Sequence, residues 1–460
     1  MKLDSRKLIL AGVSAAILIA AVASLTCTSW LSGSFSGSAR AGRAVSGSPA
    51  LASKTVVCWA HNPADAFKGQ GCLALVYQKL LFVFDGYTDV TTQITDSGQV
   101  SQPAWSHDGE WLAYLYGTGS QMAPVTWLAR RDGTQAHQVK QVASDGGFSW
   151  LPTDDVLAVG GQSGIWLVPA EGKPRQLSNA AASAPVWSPD GKTLAYSVTL
   201  PYDSNHPEDR SDALYTIGID GSQPVQRLVT PQSGIELAGW WPDGKGLLYW
   251  MDPVHSASLA ADGMPLNSLQ LGSTQPKTLA FGLDRPGWLS LAPRNNILMV
   301  KGGGRIVWAG QSLTVINVSS GDVRDLKNPP GCVAIDPSLS KDGSRIAFVA
   351  AKDLGAKTWG FDNNQDLMAW VASRTLWVEQ VNGSGAHPLT SAGRGIYQPC
   401  WSRDGSHILY VRDNCLWLIG ADGGEPVEIC GQIAADDPTG GAFGYYGFIS
   451  YGSKMAWFQP

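Results

Sequence analysis

At 460 residues, with 53 Gly, 19 Trp and few long helical patterns, the chain is a poor candidate for a helical body and suits short strands with glycine-marked turns. Net charge is −5. Residues 1–54 hold six Lys/Arg against one acidic residue, so the remainder is acidic, a poor electrostatic match for nucleic acid, and no nucleic-acid partner is expected.

In chain order, Lys2, Arg6 and Lys7 precede an apolar run from Leu8 to about Thr26. Positive charge before an apolar segment keeps the N-terminus inside and exports the chain beyond that segment. Residues 1–27 therefore read as a signal peptide or an N-terminal transmembrane anchor. Ala21-Val22-Ala23 offers a cleavage site, whereas the length of the run suits an uncleaved helix. The rest of the chain is then either membrane-anchored outside the cytoplasm or, if the leader is cleaved, secreted. Residues 28–54, rich in Ser, Gly and Ala, read as a flexible tether, and residues 55–460 as the folded domain.

Export makes the cysteines relevant, since it permits disulfides. Beyond Cys27 there are six. Cys415 and Cys430 lie symmetrically about the Asp422-Gly423 turn, so a regular hairpin places them opposite each other. Cys58 with Cys72 is the next candidate by proximity, leaving Cys332 with Cys400; buried free thiols are the alternative.

The dominant signal is a repeat. WSPDGKTLAYS, from Trp187 to Ser197, has copies starting at Trp105, Trp240, Leu339 and Trp401, and worn versions starting at Trp150, Trp288 and Phe448. Each reads as two strands joined by a tight turn, in which Asp bonds the backbone beyond it and Gly takes positive φ. A second turn follows most copies, as at Asp132-Gly133, Asp220-Gly221 and Asp422-Gly423. Two hairpins per period make four strands, the pattern of propeller blades. The fold class is therefore all-β, a β-propeller of eight blades, with seven as the alternative. An extra second-type turn at Asp85-Gly86 and an unmatched first-type turn at Gly452 predict a blade shared between the termini. A C-terminal hairpin over about Tyr445 to Phe458 is expected to supply its inner strands, and Leu80 to Thr95 its outer ones.

The W-S-x-D-G-x-x-L-A-Y pattern at Trp105, Trp187, Trp240, Leu339 and Trp401 resembles the repeat of TolB-like propellers, relatives of WD-type repeats. The resemblance covers about Thr55 to Pro460 and implies fold, not function. TolB itself has an additional N-terminal α/β domain and six blades, so its role does not carry over. The same repeats resemble the propeller of prolyl oligopeptidase-type peptidases, but no hydrolase domain follows in this sequence.

Propeller geometry puts the loops between strands 2 and 3 on one face and the Asp-Gly turns on the other. Long insertions fall on that loop-bearing face, at 199–212 and 351–373, with a shorter one at 117–124. They offer aromatic surface in Tyr202, Trp359, Phe361 and Trp370, and polar groups in Asp203, His206, Glu208, Asp209, Asp362, Asn363, Asn364 and Asp366. Such mixtures suit a protein, peptide or carbohydrate partner. The competing interpretation is that the acids are solvated and the aromatics pin the loops down.

No catalytic residue, metal ligand or cofactor is assigned. There is no G-x-S-x-G elbow, no i, i+4 His pair and no complete calcium loop at Asp362-Asn364-Asp366. The expected function is an extracytoplasmic binding module, membrane-linked through the N-terminal segment. The alternative is an extracytoplasmic carbohydrate-active or other hydrolase or lyase using channel residues. An enzyme should gather carboxyls or His at the channel mouth, with shifted pKa. A binding module should present an aromatic-rich face without such a group.

Overall fold

The computed structural model describes residues 61–117, 124–140, 147–285, 287–302, 304–356, 364–436 and 445–460. The leader, the tether and Cys58 lie outside them. Eight four-stranded antiparallel sheets form the blades of a β-propeller. Blade 1 combines residues 72–93 with 455–458, and blades 2 to 8 follow at 99–138, 148–178, 183–230, 233–282, 289–325, 332–388 and 396–430.

The repeated turn is built as a closed local circuit. Ser188 Oγ donates to Asp190 Oδ1 at 2.6 Å, the same oxygen accepts from Lys192 N, and Ser188 Oγ accepts from Thr193 N. Ser106-Asp108, Ser340-Asp342 and Ser402-Asp404 repeat this wiring. Hydrogen bonds from the serines hold Asp342 and Asp404 down at about 2. Every polar group of the Ser-x-Asp-Gly signature thus serves the turn.

Its tryptophan links one blade to the one before. The indoles of Trp150, Trp187, Trp240 and Trp401 donate to carbonyls of Ala104, Ser149, Val186 and Ser338, each on the preceding blade's inner strand. Trp105 does the same to Ala456, at 2.9 Å. That bond fixes the alignment of the last repeat: Trp457 occupies the repeat tryptophan's place, not Phe448.

The ring closure therefore differs from expectation. A single C-terminal strand, Met455–Phe458, is the innermost strand of blade 1, paired Ala74 to Ala456 and Leu73 to Trp457. The second strand is Cys72–Tyr77, and Leu80–Asp85 and Val90–Gln93 are the outer two. The turn at Gly452 misled because it copies the signature's glycine, but no strand precedes it. At the seam Gly71 has φ 92°, and a Cβ there would lie 2.2 Å from the Phe458 carbonyl oxygen, so only glycine fits. One continuous apolar core runs from Leu298 and Phe348 through Tyr410 to Leu73 and Phe84, packing blade 8 against blade 1.

The cysteines do not pair as expected. Cys72, Cys332, Cys400, Cys415 and Cys430 are free thiols. A bulge between Leu416 and Trp417 shifts the outer ladder of blade 8, so Leu416 rather than Cys415 faces Cys430. Symmetry about a turn predicts partners only for an unbulged hairpin. No described helix is long and apolar enough to cross a membrane, and the apolar run from Leu8 to Thr26 lies outside the described residues.

Candidate functional site

The inner strands carry a feature that repeat counting overlooked. Gln102, Asp336 and Gln398 each precede a proline and have φ of 53°, 47° and 46°, at bulges that offset the inner ladder. The signal was present in QPAW, DPSL and QPCW, just upstream of the repeat tryptophan or its replacement Leu339.

At blades 6 to 8 these residues hold the chain's own C-terminal segment across the channel mouth. Asp336 Oδ1 accepts from the Trp288 indole at 2.9 Å, and Gln398 Oε1 accepts from Tyr451 N at 2.6 Å. Phe448 meets the Trp288 ring edge-to-face at 5.4 Å, and Tyr451 packs on Tyr397. Arg374, 1% exposed, lies between Trp370 and Tyr397 and donates to the Gly447 carbonyl. Burial pushes the Asp336 carboxyl up, partly countered by Arg374.

Trp370 is thereby accounted for. It is buried, its indole donates to the Lys352 carbonyl, and it meets Trp308 edge-to-face. It pins the helix Asn364–Ala372, on which Asp366 is exposed in the first turn. Trp359, Phe361, Asp362 and Asn363 lie outside the described residues, and of Asn364 only its place at the start of that helix is described.

Blades 3 to 5 differ: there the mouth is open. A cavity of about 480 Å³ lies beneath the base of the 199–212 insertion. It gathers Gln162 from the strand 2–3 turn of blade 3, Arg210 and Asp212 from blade 4, and Gly234, Glu236 and His255 from blade 5. Register explains the grouping. Gly234 stands opposite Asp252, and Glu236, two residues along, shares its side of the strand. A Cβ on Gly234 would lie 3.0 Å from His255 Nδ1 and 3.2 Å from Asp252 Cβ. The missing side chain makes the cavity floor.

Hydrogen bonds hold the rim. Asp212 accepts from Thr199 Oγ1 at 2.8 Å and from Ile235 N at 2.9 Å, tying the insertion's base to the inner strand of blade 5. Arg210 Nη2 donates to Thr199, while its Nε is buried without a partner. His255 Nε2 donates to the Arg210 carbonyl at 3.1 Å, which leaves Nδ1 to face the cavity floor. His255 and Val254 have φ of 51° and 50°, the latter an outlier for a β-branched residue. A hydrogen bond with Asp284, assisted by desolvation and by Asp252, pushes Glu236 up to about 8. At neutral pH the pair holds a proton.

The sequence-derived candidates in the 199–212 insertion sit above this cavity without lining it. Asp203 accepts from Asn205, His206 contacts Glu208 at 3.1 Å, and Asp209 accepts from Gln232. Tyr202 is exposed. Glu236, Asp252, Asp284 and His255 were missed because they lie on or beside regular strands, where sequence shows only isolated polar residues. No group of three or more His, Cys, Asp or Glu suited to a metal occurs among the described residues.

No protein-family model and no curated protein matches the sequence. Among solved structures, dipeptidyl peptidase 4 of Porphyromonas gingivalis aligns with a TM-score of 0.55 at 9% identity, over 81% of this chain and 61% of that one. A prolyl endopeptidase aligns at 0.48 and 10% identity, over 72% and 49%. TolB from Acinetobacter baumannii aligns at 0.35 and 17% identity, over 72% and 66%. What they share with this chain is the propeller. At these identities the likeness is one of fold, as the TolB-like repeats imply, and the chain spans less than two thirds of each of the two peptidases.

Proposed function

We propose that this propeller is an exported binding module that takes a protein, peptide or glycan partner on the face bearing its strand 2–3 loops. The supporting observation is the open, rigidly rimmed cavity at blades 3 to 5, on the face that carries both long insertions. Binding sites favour such concave places where loops converge on a stiff scaffold. Export rests on the leader alone, and membrane attachment through residues 1–27 is part of the same proposal. Tyr202, Asp203, His206, Glu208 and Asp209 are proposed to meet the partner from the first insertion, with Trp359, Phe361, Asp362 and Asn363 joining from the second.

The test is capture of partners and glycans by the full chain, compared with chains in which residues 202–209 or 357–363 are replaced by Gly-Ser. Selective loss in a replaced chain supports the proposal. Equal capture by all three removes the loop face from consideration.

The enzyme reading has one specific feature in its favour: Asp284, burial and Asp252 push Glu236 up to about 8, into the range a general acid needs. Turnover of oligosaccharides that disappears in Glu236→Gln would establish it. Binding without turnover would leave the module reading.

A further inference from the structure

We infer that the cavity between blades 3 and 5 is a subsite for a short, neutral, hydroxyl-rich ligand, a glycan of a few sugar units. The inference deepens the binding-module reading and rests on it. Charge narrows the choice of ligand first. Asp212, Asp252 and Glu236 line the cavity against one Arg210, with Asp284 paired to Glu236, so an anionic ligand is repelled. A simple cation suits the carboxyls, but it would also face the Arg210 guanidinium.

A hydroxyl resolves both conditions, because it donates and accepts at once. It can accept from the Arg210 guanidinium where that side chain lines the cavity, and donate to Asp252 or to His255 Nδ1. The Glu236–Asp284 pair, with its shared proton, offers a donor and an acceptor of its own. Size agrees: about 480 Å³ lies within the range of small-molecule sites. The described lining has no Phe, Tyr or Trp ring, so hydrogen bonds rather than stacking carry the affinity. That points to dissociation constants of roughly 0.1 to 1 mM, within reach of calorimetry.

Gly234 supplies the sharpest probe. Its φ is outside the left-handed region, so alanine carries no backbone strain, yet the new methyl enters the space between His255 and Asp252. The experiment presents the full chain to an array of neutral hexose and N-acetylhexosamine oligosaccharides of two to four units, uronate-containing oligosaccharides and basic peptides. Calorimetry follows with the best neutral hit. Binding of neutral oligosaccharides is expected, with affinity at least tenfold lower in Gly234→Ala and in Arg210→Ala while both variants keep the native circular dichroism spectrum. Affinity should also fall between pH 7 and pH 9, as the shared proton leaves a site already lined by Asp252 and Asp212 and balanced only by Arg210.

Binding confined to uronates or to basic peptides overturns the inference. So does wild-type affinity in Gly234→Ala. Capture of a protein by the loop face without any neutral glycan would overturn the inference and leave the binding-module reading standing. Failure to capture anything, including in the loop-replacement comparison, would count against both.

Discussion

The two halves of the channel mouth use the same inner-strand scaffold to opposite ends. At blades 6 to 8 the chain's own segment enters the mouth, with Phe448 on Trp288, Tyr451 on Tyr397 and Arg374 beneath the Gly447 carbonyl, and the cavity of about 740 Å³ that remains there is walled by Tyr397, Ile449 and Tyr451. At blades 3 to 5 a glycine replaces side-chain bulk, and polar groups face open space. The difference lies in where the C-terminal segment runs: between adjacent blades 8 and 1 it detours to Val307 and Trp288 of blade 6 before Met455 joins blade 1. A propeller's ends can thus decide which part of its channel remains free for a ligand.

Deleting residues 455–460 should do most to break this contrast. Blade 1 would lose its inner strand, Trp105 its acceptor and Phe67 its packing against Trp457. A loss of about 4 kcal/mol is expected, by analogy with truncation of a large aromatic residue. Thermal denaturation checks it, and an unchanged melting temperature would contradict closure of the ring by this strand.

Phe448→Ala attacks the occupied half alone. Removing a partly buried ring from Trp288 and from under Arg285 should cost about 2 kcal/mol. Urea titration should show the loss, while any ligand affinity at blades 3 to 5 stays the same. Altered affinity there would mean that the halves are coupled through Arg285 and its neighbour Asp284.

Glu379 gives a third test, within the occupied half's scaffold. Its cross-strand position is taken by Ile217, Ile316 and Ile419 in blades 4, 6 and 8, yet here a carboxyl faces Ile346 and is 4% exposed. Burial pushes it up to about 7. The folded state therefore holds a proton that the unfolded state releases near pH 4.5, and stability falls as pH rises from there to about 7 and then levels off. Glu379→Leu should gain on the order of 1–2 kcal/mol at pH 8, a gain that shrinks toward pH 5. A gain independent of pH would rule out titration as the cause.

The smallest effects should come from the turns, and they should be equal in the two halves. Asp190→Ala in blade 4 and Asp404→Ala in blade 8, the latter in a Ser406→Ala background because Ser406 Oγ also donates to that carboxylate, each remove the bonds from the signature serine and the backbone N–H two residues on, and each should cost about 1 kcal/mol. Because serine hydrogen bonds hold Asp404 low, that contribution is present above pH 4 and is lost as pH falls toward 2. Unequal costs in denaturant titrations would show that the halves differ in their turns as well as their mouths.

Much of the fold was legible because its signals are local. The Ser-x-Asp-Gly turns carry their bonding partners within five residues, so the hairpins at Trp187 and Trp401 could be read directly, and counting turns led to eight blades. The register of the final repeat was not legible: both Phe448 and Trp457 are aromatic residues near Gly452, and only the Trp105 indole distinguishes them. Of the candidate site, the face was foreseeable from the insertions. Its residues were not, since Gly234, Asp252 and Asp284 come together only through strand register and the approach of neighbouring blades.

The sequence by itself determined the repeating hairpins, the blade count and the structural role of the repeated aspartates, because those depend on contacts between near neighbours. Only the tertiary structure decided that one strand rather than two closes the ring, that Cys415 and Cys430 are out of register, and that the mouth is entered by the chain itself at one side and open at the other. These outcomes turn on pairs such as Leu73 with Trp457 and Asp336 with Trp288, and on a bulge that shifts a ladder by one residue. Contacts between chain-distant residues depend on how blades pack, which no local pattern encodes.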